Sequence, residues 1–264
     1  MRTTFSQKNM KPHTLPETPS IFKKPMTAAI CLAAFLLLLA MPGQSQAAVA
    51  RPETKGPGVP KEVSSSNQEI QSESIETIDQ AIVVDGQEGF RATVTYYKKQ
   101  SDGSWEQEFS VPAIYGRNGG THDKTEGDGK TPFGAYRFTM AFGTKENPGS
   151  ILPYHQLTSN DFWVDDPGSA YYNRLVDVSQ TVRDWDSAED MSRQGVSYNY
   201  GLALNYNEDC TPGKGSAIFL HCYTKSNDSG SAGCIRIPED NMRQLIQSVD
   251  ANTRIVIREA EGGF

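Results

Sequence analysis

The stretch from residue 216 to residue 236 constrains the fold most, because it combines a strand pattern with a histidine and a cysteine. Residues 216–223 alternate in character, as a strand with two different faces does. One face carries Ala217, Phe219, His221 and Tyr223, and the other carries Ile218, Leu220 and Cys222. The sequence therefore predicts a sheet that directs His221 to one side and Cys222 into the core.

Strand patterns continue through most of the chain from residue 81 onward. Residues 91–98 and 105–111 flank a polar, glycine-containing turn, which predicts a β-hairpin. Further strands are predicted at residues 135–142, 162–164, 201–206 and 254–258. Polar loops that contain glycine connect them and could line a cleft. We expect a mostly β domain, largely antiparallel, with few short helices.

Two helices are predicted. Pro238 suits a first helical position, and acidic residues follow it, where the positive end of the helix dipole favours them. The apolar residues after it recur at i, i+3, i+4 and i+7, and they are Met242, Leu245, Ile246 and Val249. A shorter helix is predicted at residues 184–194, with Asp186 or Ser187 as its N-cap and Glu189 in its first turn.

Residues 1–50 have the features of an export signal. Two lysines precede an apolar run at residues 26–40, and an A-x-A-like cleavage site follows at residues 48–50. The run is shorter than the roughly twenty residues that span a bilayer, so we expect a cleaved signal peptide, with a membrane anchor as the alternative. Residues 51–80 are rich in Pro, Ser, Gln and Glu and predict a disordered linker. Residues 81–264 then form one folded domain.

The charge balance excludes two classes of partner. The formal net charge is −7, and the leader is basic, so the remaining chain is more negative still. Such a surface repels nucleic acid and anionic lipid. We expect no nucleic-acid partner, and contact with a membrane only through an uncleaved leader.

Three cysteines follow the leader, at positions 210, 222 and 234. An odd number in an exported chain leaves one thiol free or bonded to another molecule. Spacing leaves open whether Cys210 and Cys222 form a disulfide. A zinc site is disfavoured, because no C-x-x-C pair exists and His221 and Cys222 point to opposite faces of one strand. We expect neither a metal nor a cofactor.

Cys234 and His221 are suited to nucleophilic catalysis. A cysteine is mostly protonated at neutral pH, so acyl transfer needs an imidazole or a positive charge beside the thiol. Gly233 lets backbone approach a substrate closely, and its amide and that of Cys234 are candidates for an oxyanion hole. Ser231 could add a hydroxyl donor. Arg236 could favour the thiolate or hold a substrate carboxylate.

His221 and the motif Ser-Ala-Gly-Cys-Ile-Arg at residues 231–236 resemble the signature of L,D-transpeptidases of the YkuD type. Residues 128–134 resemble the D-G-x-T-P-x-G segment of that family. Further resemblance to one subgroup is found at residues 163–167, 171–173 and 206–207. Ala232 stands where many members have a second histidine. A subgroup of the family has S/T-A-G-C at this place, with alanine as in this chain.

The resemblance implies an L,D-transpeptidase-like β-sandwich or barrel, with Cys234 as nucleophile and His221 as its base. The thiolate would attack the carbonyl between a diamino acid and D-alanine in a peptidoglycan stem peptide and form a thioester. An amine of a second stem would accept the acyl group in a 3-3 cross-link, or water would hydrolyse it. Such an enzyme is exported to the periplasm or the cell wall. Tyr172 and Asn173 are candidate substrate contacts, with loop structure as the alternative for both.

Two other functions fit part of the pattern. A sortase-like transpeptidase uses His, Cys and Arg in the same order. However, the T-L-x-T-C motif of sortases is absent, and a sortase histidine lies farther from its cysteine along the chain. A non-catalytic cell-wall-binding domain would keep the fold without thiol chemistry. The joint presence of His221, Cys234 and Arg236 favours the enzyme, because a binding domain has no need of a base beside a thiol.

Overall fold

The computed structural model describes residues 78–223 and 229–260, and every structural statement below concerns this part of the chain. The expected leader and most of the expected linker lie outside it. Among the described residues, none of the helices is both long and apolar enough to cross a membrane.

Fifteen strands and one α-helix are found in the described residues. The strands are β1 (Gln80–Gly86), β2 (Arg91–Lys99), β3 (Trp105–Ile114), β4 (Gly120–Thr121), β5 (Thr131–Pro132), β6 (Gly134–Tyr136), β7 (Phe138–Gly143), β8 (Tyr154–Gln156), β9 (Asp161–Val164), β10 (Leu175–Asp177), β11 (Ala188–Asp190), β12 (Gly201–Leu204), β13 (Phe219–Cys222), β14 (Ile235–Ile237) and β15 (Arg254–Glu259). The helix is α1 (Glu239–Ser248), and two short 3-10 helices lie at Met191–Arg193 and Gly195–Tyr198.

Ten of the strands form one sheet in the order β6-β15-β1-β2-β3-β14-β13-β12-β7-β8. Only Arg137 separates β6 from β7, yet β6 lies at one edge of the sheet and β7 lies next to the other edge. Because consecutive Cα atoms are about 3.8 Å apart, the sheet must curl until its two ends meet. This curled, mostly antiparallel sheet confirms the expected β-sandwich or barrel class with few helices.

Two smaller sheets accompany the large one. Strands β10, β9 and β11 form an antiparallel sheet in that order, and β4 pairs with β5 in parallel. The three-stranded sheet helps to form a cavity. Asp165, which follows β9, and Glu189 of β11 line this cavity together with residues of β13 and β14.

Helix α1 packs against β12 and β13. Pro238 precedes its first residue, and Glu239 and Asp240 occupy its first turn, where acidic groups are favoured. Its inward face is fully buried and consists of Met242, Leu245 and Ile246, and Val249, which follows the last helical residue, is fully buried as well. The predicted helix and its apolar face are therefore confirmed.

The helix predicted at residues 184–194 is wrong. Residues Ala188–Asp190 form β11 and pair with β9, so their backbone groups join a sheet ladder. The Asp186 amide, expected near a helix start, donates to the Asp166 carboxylate at 2.7 Å. Asp190 caps the following 3-10 helix by accepting from the Ser192 amide at 3.1 Å. Tertiary pairing outweighed the local helix signal here.

The other predicted strands are found with altered ends. The strand predicted at 216–223 shortens to β13, because Ala217 adopts a φ of 52°, outside the extended region. The strand predicted at 135–142 divides at Arg137 into β6 and β7. Strand β1 was not singled out from the sequence, and it begins at Gln80, within the segment expected to be a linker.

Candidate active site

The alternation predicted for the strand around His221 is confirmed. Cys222 is buried in the main core, and its thiol donates to the Tyr200 carbonyl at 3.5 Å. His221 lies on the opposite side and lines a cavity, with 3 % of its surface exposed. In the sheet, His221 stands opposite Gly201 of β12 and Arg236 of β14. The strand therefore separates a structural cysteine from a histidine available for chemistry.

The hydrogen bonds of His221 determine which ring nitrogen holds the proton. Its Nδ1 lies 3.1 Å from the Ser197 carbonyl and 2.9 Å from the Cys222 carbonyl. Carbonyl oxygens only accept, so Nδ1 carries the hydrogen. Burial, aided by the charge of Arg236, lowers the pKa of His221 to about 3. The ring is thus neutral near pH 7, with the lone pair on Nε2, which is the form that a general base requires.

Cys234 lies at the end of the loop that leads into β14 and lines the same cavity as His221. It is 9 % exposed, and its thiol donates to the Ala217 carbonyl at 3.2 Å. Burial, together with the negative charge of Glu189, raises the pKa of the Cys234 thiol to about 12, although Arg236 acts in the opposite direction. The resting site therefore holds a neutral thiol beside a neutral imidazole.

Gly233 is required by crowding at the loop. A Cβ at this position would lie 2.9 Å from Cδ1 of Ile218 and 3.1 Å from the Lys130 carbonyl oxygen. The Gly233 carbonyl accepts from the Thr131 hydroxyl at 2.8 Å, and this hydroxyl accepts from the Gly116 amide at 2.8 Å. Thr131 belongs to the stretch at 128–134 singled out from the sequence, so that stretch holds the cysteine loop in place.

Two donors proposed for the oxyanion already have partners. The Gly233 amide donates to Oγ of Ser231 at 3.0 Å, and the Ser231 hydroxyl donates to the Cys234 carbonyl at 2.5 Å. Ser231 is also buried. In this structure the two groups brace the loop, and both residues also line the cavity. The amide of Cys234 stays the candidate oxyanion donor.

Arg236 lies in β14 and lines the cavity, as expected from its place two residues after the cysteine. The cavity has a volume of about 160 Å³. Three acidic residues that are not among the site residues predicted from the sequence line it as well, namely Glu126, Asp165 and Glu189. Oε1 of Glu189 accepts from the Tyr198 hydroxyl at 2.7 Å, and burial, its largest cause, raises the pKa of this carboxyl. The site is therefore more strongly charged than the motif alone indicates.

Lys124 is a further residue that the sequence did not reveal. It is 5 % exposed, lines the cavity and donates from Nζ to Asp128 at 2.5 Å and to the Thr125 carbonyl at 3.1 Å. Although burial opposes it, hydrogen bonds from Lys124 and from backbone amides lower the pKa of Asp128. The available signal was Asp128 itself, because a partly buried aspartate at the start of a motif favours a cationic partner.

Tyr172 and Asn173 do not line the cavity, so the structure does not bring them to the site as substrate contacts. Tyr172 is 2 % exposed, and its hydroxyl donates to Glu126 and accepts from the Gly215 amide. Oδ1 of Asn173 accepts from the indole of Trp163 and from the Ala217 amide, each at 3.0 Å. In this structure both side chains bond to neighbouring loop residues.

Asn173 nevertheless acts on the site through Ala217. Asn173 holds the Ala217 amide, and the Ala217 carbonyl accepts the hydrogen of the Cys234 thiol. The side-chain amide of Asn173 also donates to the carbonyls of Tyr206 and Asn207, at 3.1 and 2.9 Å. One partly buried side-chain amide thus supports the unusual backbone conformation of Ala217, whose carbonyl lies beside the thiol.

Cys210, Cys222 and Cys234 are all free thiols, so the disulfide left open between the first two is not formed in this structure. Among the described residues, no group of three or more His, Cys, Asp or Glu side chains is arranged to hold a metal ion.

Residues 79–257 match the family model for YkuD, the L,D-transpeptidase catalytic domain. A search of curated proteins found no match. Similar solved structures include the helical cell shape determining protein Pgp2 of Campylobacter jejuni, at 18 % identity over 70 % of this chain and 49 % of that one, with a TM-score of 0.39.

A mutant of the Enterococcus faecium L,D-transpeptidase matches at 15 % identity, over 68 % of this chain and 50 % of that one, with a TM-score of 0.34. The L,D-transpeptidase of Stackebrandtia nassauensis matches at 14 % identity, over 73 % of this chain and 64 % of that one, with a TM-score of 0.32. The chain spans about half the length of the first two structures.

Proposed function

The chain belongs to the YkuD family of L,D-transpeptidase catalytic domains, and on that basis we propose that it is an exported cysteine transpeptidase acting on peptidoglycan stem peptides. Cys234 is the nucleophile and His221 is the base. The family match supports the reaction class, and the apolar run of the leader supports export.

In the first half of the reaction, the Cys234 thiol gives its proton to Nε2 of His221. The sulfur attacks the carbonyl carbon between a diamino acid and D-alanine and forms a tetrahedral oxyanion. The imidazolium then protonates the leaving nitrogen, the C–N bond breaks, and D-alanine departs. The rest of the stem stays on Cys234 as a thioester.

In the second half, the amine of another stem attacks the thioester. His221 accepts a proton from this amine and returns one to the sulfur, so an amide forms and the free thiol is restored. The product is a 3-3 cross-link. Water in place of the amine would release the shortened stem as a carboxylic acid.

One observation carries this proposal. Both hydrogen-bond partners of Nδ1 of His221 are carbonyls, which leaves Nε2 as the basic atom of a neutral ring in the same cavity as Cys234. A merely structural histidine would be expected to use both nitrogens. Arg236 and Lys124 lower the pKa of the thiol and so favour the thiolate as it forms, against the dominant effect of burial.

The test is intact-mass spectrometry of the purified, reduced full chain after incubation with a tetrapeptide stem or a carbapenem. We expect a covalent adduct on the wild type and none on Cys234→Ala. Cys222→Ala is the matched control, because it removes a buried thiol on the opposite face of the histidine strand. This control should keep the adduct.

His221→Asn should slow adduct formation by roughly 100-fold or more, since general-base catalysis contributes about 10² to 10⁴. Asn can still donate to the carbonyl that Nδ1 contacts, so the variant removes the base with little change at that bond. A folded wild type that forms no adduct with either compound would instead support a cell-wall-binding domain or a different acyl donor.

A further inference from the structure

A second cavity lies at one end of the large sheet and shares no lining residue with the cavity of Cys234. Its volume is about 700 Å³, within the roughly 300–1,000 Å³ of typical ligand pockets. It is lined by the turn between β1 and β2, the loop that follows β3, the end of β15 and Phe133. The chemistry proposed for Cys234 and His221 does not use this second cavity.

The apolar part of the second cavity consists of two aromatic rings packed against glycine backbone. A Cβ at Gly86 would lie 2.9 Å from Cε2 of Tyr115. A Cβ at Gly120 would lie 2.2 Å from carbon atoms of the Phe133 ring, which is half-buried and packs against the main core. Tyr115 is buried, and its hydroxyl donates to the Gln87 carbonyl at 3.1 Å. The second cavity therefore offers a fixed aromatic surface beside open backbone.

Charged side chains of both signs line the second cavity around this aromatic surface, and they are Arg117, Glu88 and Glu259. Within the described part of the chain, no hydrogen bond or ion pair engages the guanidinium of Arg117 or either of the two carboxylates. The side chain of Arg117 lies against Gly129, where a Cβ would be 2.8 Å from Nε of the arginine. Groups that only donate and groups that only accept are therefore available side by side.

This set of groups suits a neutral ligand that is rich in hydroxyls. A guanidinium only donates and a carboxylate only accepts, whereas each hydroxyl of a sugar does both. The apolar face of a sugar ring can lie on an aromatic ring while its hydroxyls reach the charged groups. Two carboxylates disfavour a polyanion. An extended peptide would need an unpaired strand edge, and β1, β2, β3 and β15 each have a neighbour on both sides in the large sheet.

The wall of the second cavity is hydrogen-bonded to the cysteine loop. The Ser231 amide donates to the Tyr115 carbonyl at 2.9 Å, and the Arg117 amide donates to the Ser231 carbonyl at 2.8 Å. Cys234 follows three residues after Ser231, so their Cα atoms are at most about 11 Å apart. In a tetrapeptide stem the attacked carbonyl belongs to the third residue, and three extended residues span about 10 Å. The second cavity therefore lies within reach of the sugar that carries the stem.

We propose that the second cavity binds the glycan strand from which the stem peptides extend. Phe133 contacts the face of one sugar ring, Arg117 donates to its oxygens, and Glu88 accepts from its hydroxyls. The inference rests on the proposed function, and it adds a recognition site outside the cavity of Cys234. A substrate that retains its sugars should therefore be preferred over the free peptide.

The first test measures binding of chitotetraose, a neutral oligomer of N-acetylglucosamine, to the purified full chain by isothermal titration calorimetry. We expect Arg117→Gln and Phe133→Leu each to weaken this binding by about tenfold or more. The first variant loses charged hydrogen-bond donors, and the second loses the aromatic face. Arg137→Gln is the control, because Arg137 forms an exposed ion pair with Glu208 and does not line the second cavity. A thermal melt verifies that each variant is folded.

The second test compares kcat/KM for D-alanine release from two substrates, a tetrapeptide stem that carries its disaccharide and the free tetrapeptide. For the wild type we expect the first to exceed the second by about tenfold or more, because binding energy from a remote part of a substrate contributes to kcat/KM. Arg117→Gln should bring this ratio close to one. The control Arg137→Gln should keep the wild-type ratio.

The outcomes distinguish the glycan site from the proposed function. Absence of chitotetraose binding to the wild type, or binding that both cavity variants leave unchanged, would overturn the glycan site. Equal kcat/KM values for the two substrates with an active wild type would overturn it as well, while leaving the transpeptidase. If neither substrate releases D-alanine, the proposed function fails, and the chitotetraose titration still decides whether the second cavity binds a glycan.

Discussion

At the residue scale, the backbone before Cys234 is held by hydrogen bonds, and its neighbours leave no room for a side chain at Gly233. Thr131 holds the Gly233 carbonyl, Ser231 holds the Gly233 amide, and Ala217 accepts from the thiol. The space for a side chain at position 233 is filled by Ile218 and the backbone of Lys130. Small changes at this loop should therefore move the sulfur.

Gly233→Ala should reduce the rate of carbapenem acylation by about tenfold or more, because sub-ångström displacement of a reacting atom is costly. The added methyl group should also lower the free energy of unfolding by about 1–3 kcal/mol through overpacking. Both quantities are measured on the full chain, by intact mass and by urea denaturation.

Gly103→Ala is the matched control. Gly103 has a φ of 83°, and a Cβ there would meet no atom within 4 Å. This variant should destabilise the fold by about 1 kcal/mol through its backbone conformation and acylate at the wild-type rate. Wild-type acylation by Gly233→Ala would show that crowding at the loop does not govern the position of the sulfur.

At the element scale, helix α1 lies behind the strand that carries His221 and packs on β12 and β13. Three of its side chains are fully buried in the main core. The main core also contains Cys222, on the reverse side of the histidine strand. The helix therefore supports the strand of His221 from its core face, on the side opposite the cavity.

Leu245→Ala should lower the free energy of unfolding by about 2–5 kcal/mol, as expected for a large-to-small change in a packed core. Arg243→Ala, on the exposed side of the same helix, removes a solvent-exposed ion pair with Asp240 and should change stability by less than about 0.5 kcal/mol. Urea denaturation of both variants provides the comparison. Equal effects would contradict the packing of this helix on the core.

At the scale of the whole molecule, burial of the candidate dyad links stability to pH from both sides. The pKa of His221 falls from 6.5 to about 3 on folding, so below pH 6.5 the unfolded chain takes up a proton that the native chain does not. The pKa of Cys234 rises from 9.0 to about 12, so above pH 9 the unfolded chain loses a proton that the native chain keeps. Both groups therefore favour the native state most between these limits.

We expect the free energy of unfolding of the wild type to fall between about pH 7.5 and pH 5, as His221 titrates in the unfolded state only. His221→Asn should lose the part of this decrease that comes from the imidazole, so the difference in stability between wild type and variant should shrink at pH 5. Carboxyl groups titrate alike in both chains and cancel. A difference that is the same at both pH values would show that His221 titrates in the native state as in the unfolded one.

Local pattern was sufficient for much of the fold. The period of two around His221 placed it and Cys222 on opposite faces, and the period of 3.6 after Pro238 gave helix α1 with its buried face, because both patterns depend on neighbours a few residues away. The local pattern gave the wrong prediction at residues 184–194, where pairing with β9 determined the backbone conformation. Helix propensity does not reveal that pairing, since β9 lies in another part of the chain.

The sequence by itself was sufficient to indicate the L,D-transpeptidase family, because the types and order of the residues in the motif are local facts, and the family match over residues 79–257 confirms this prediction. Only the tertiary structure decided what surrounds them. The Thr131 bond to Gly233 joins residues 102 positions apart, and the Asn173 bond to Ala217 joins residues 44 positions apart. Asp165 and Glu189 likewise share a cavity with Arg236 only because the three-stranded sheet lies beside the large one. Hydrogen-bond partners and unpaired charges depend on distances in space, which spacing along the chain does not encode.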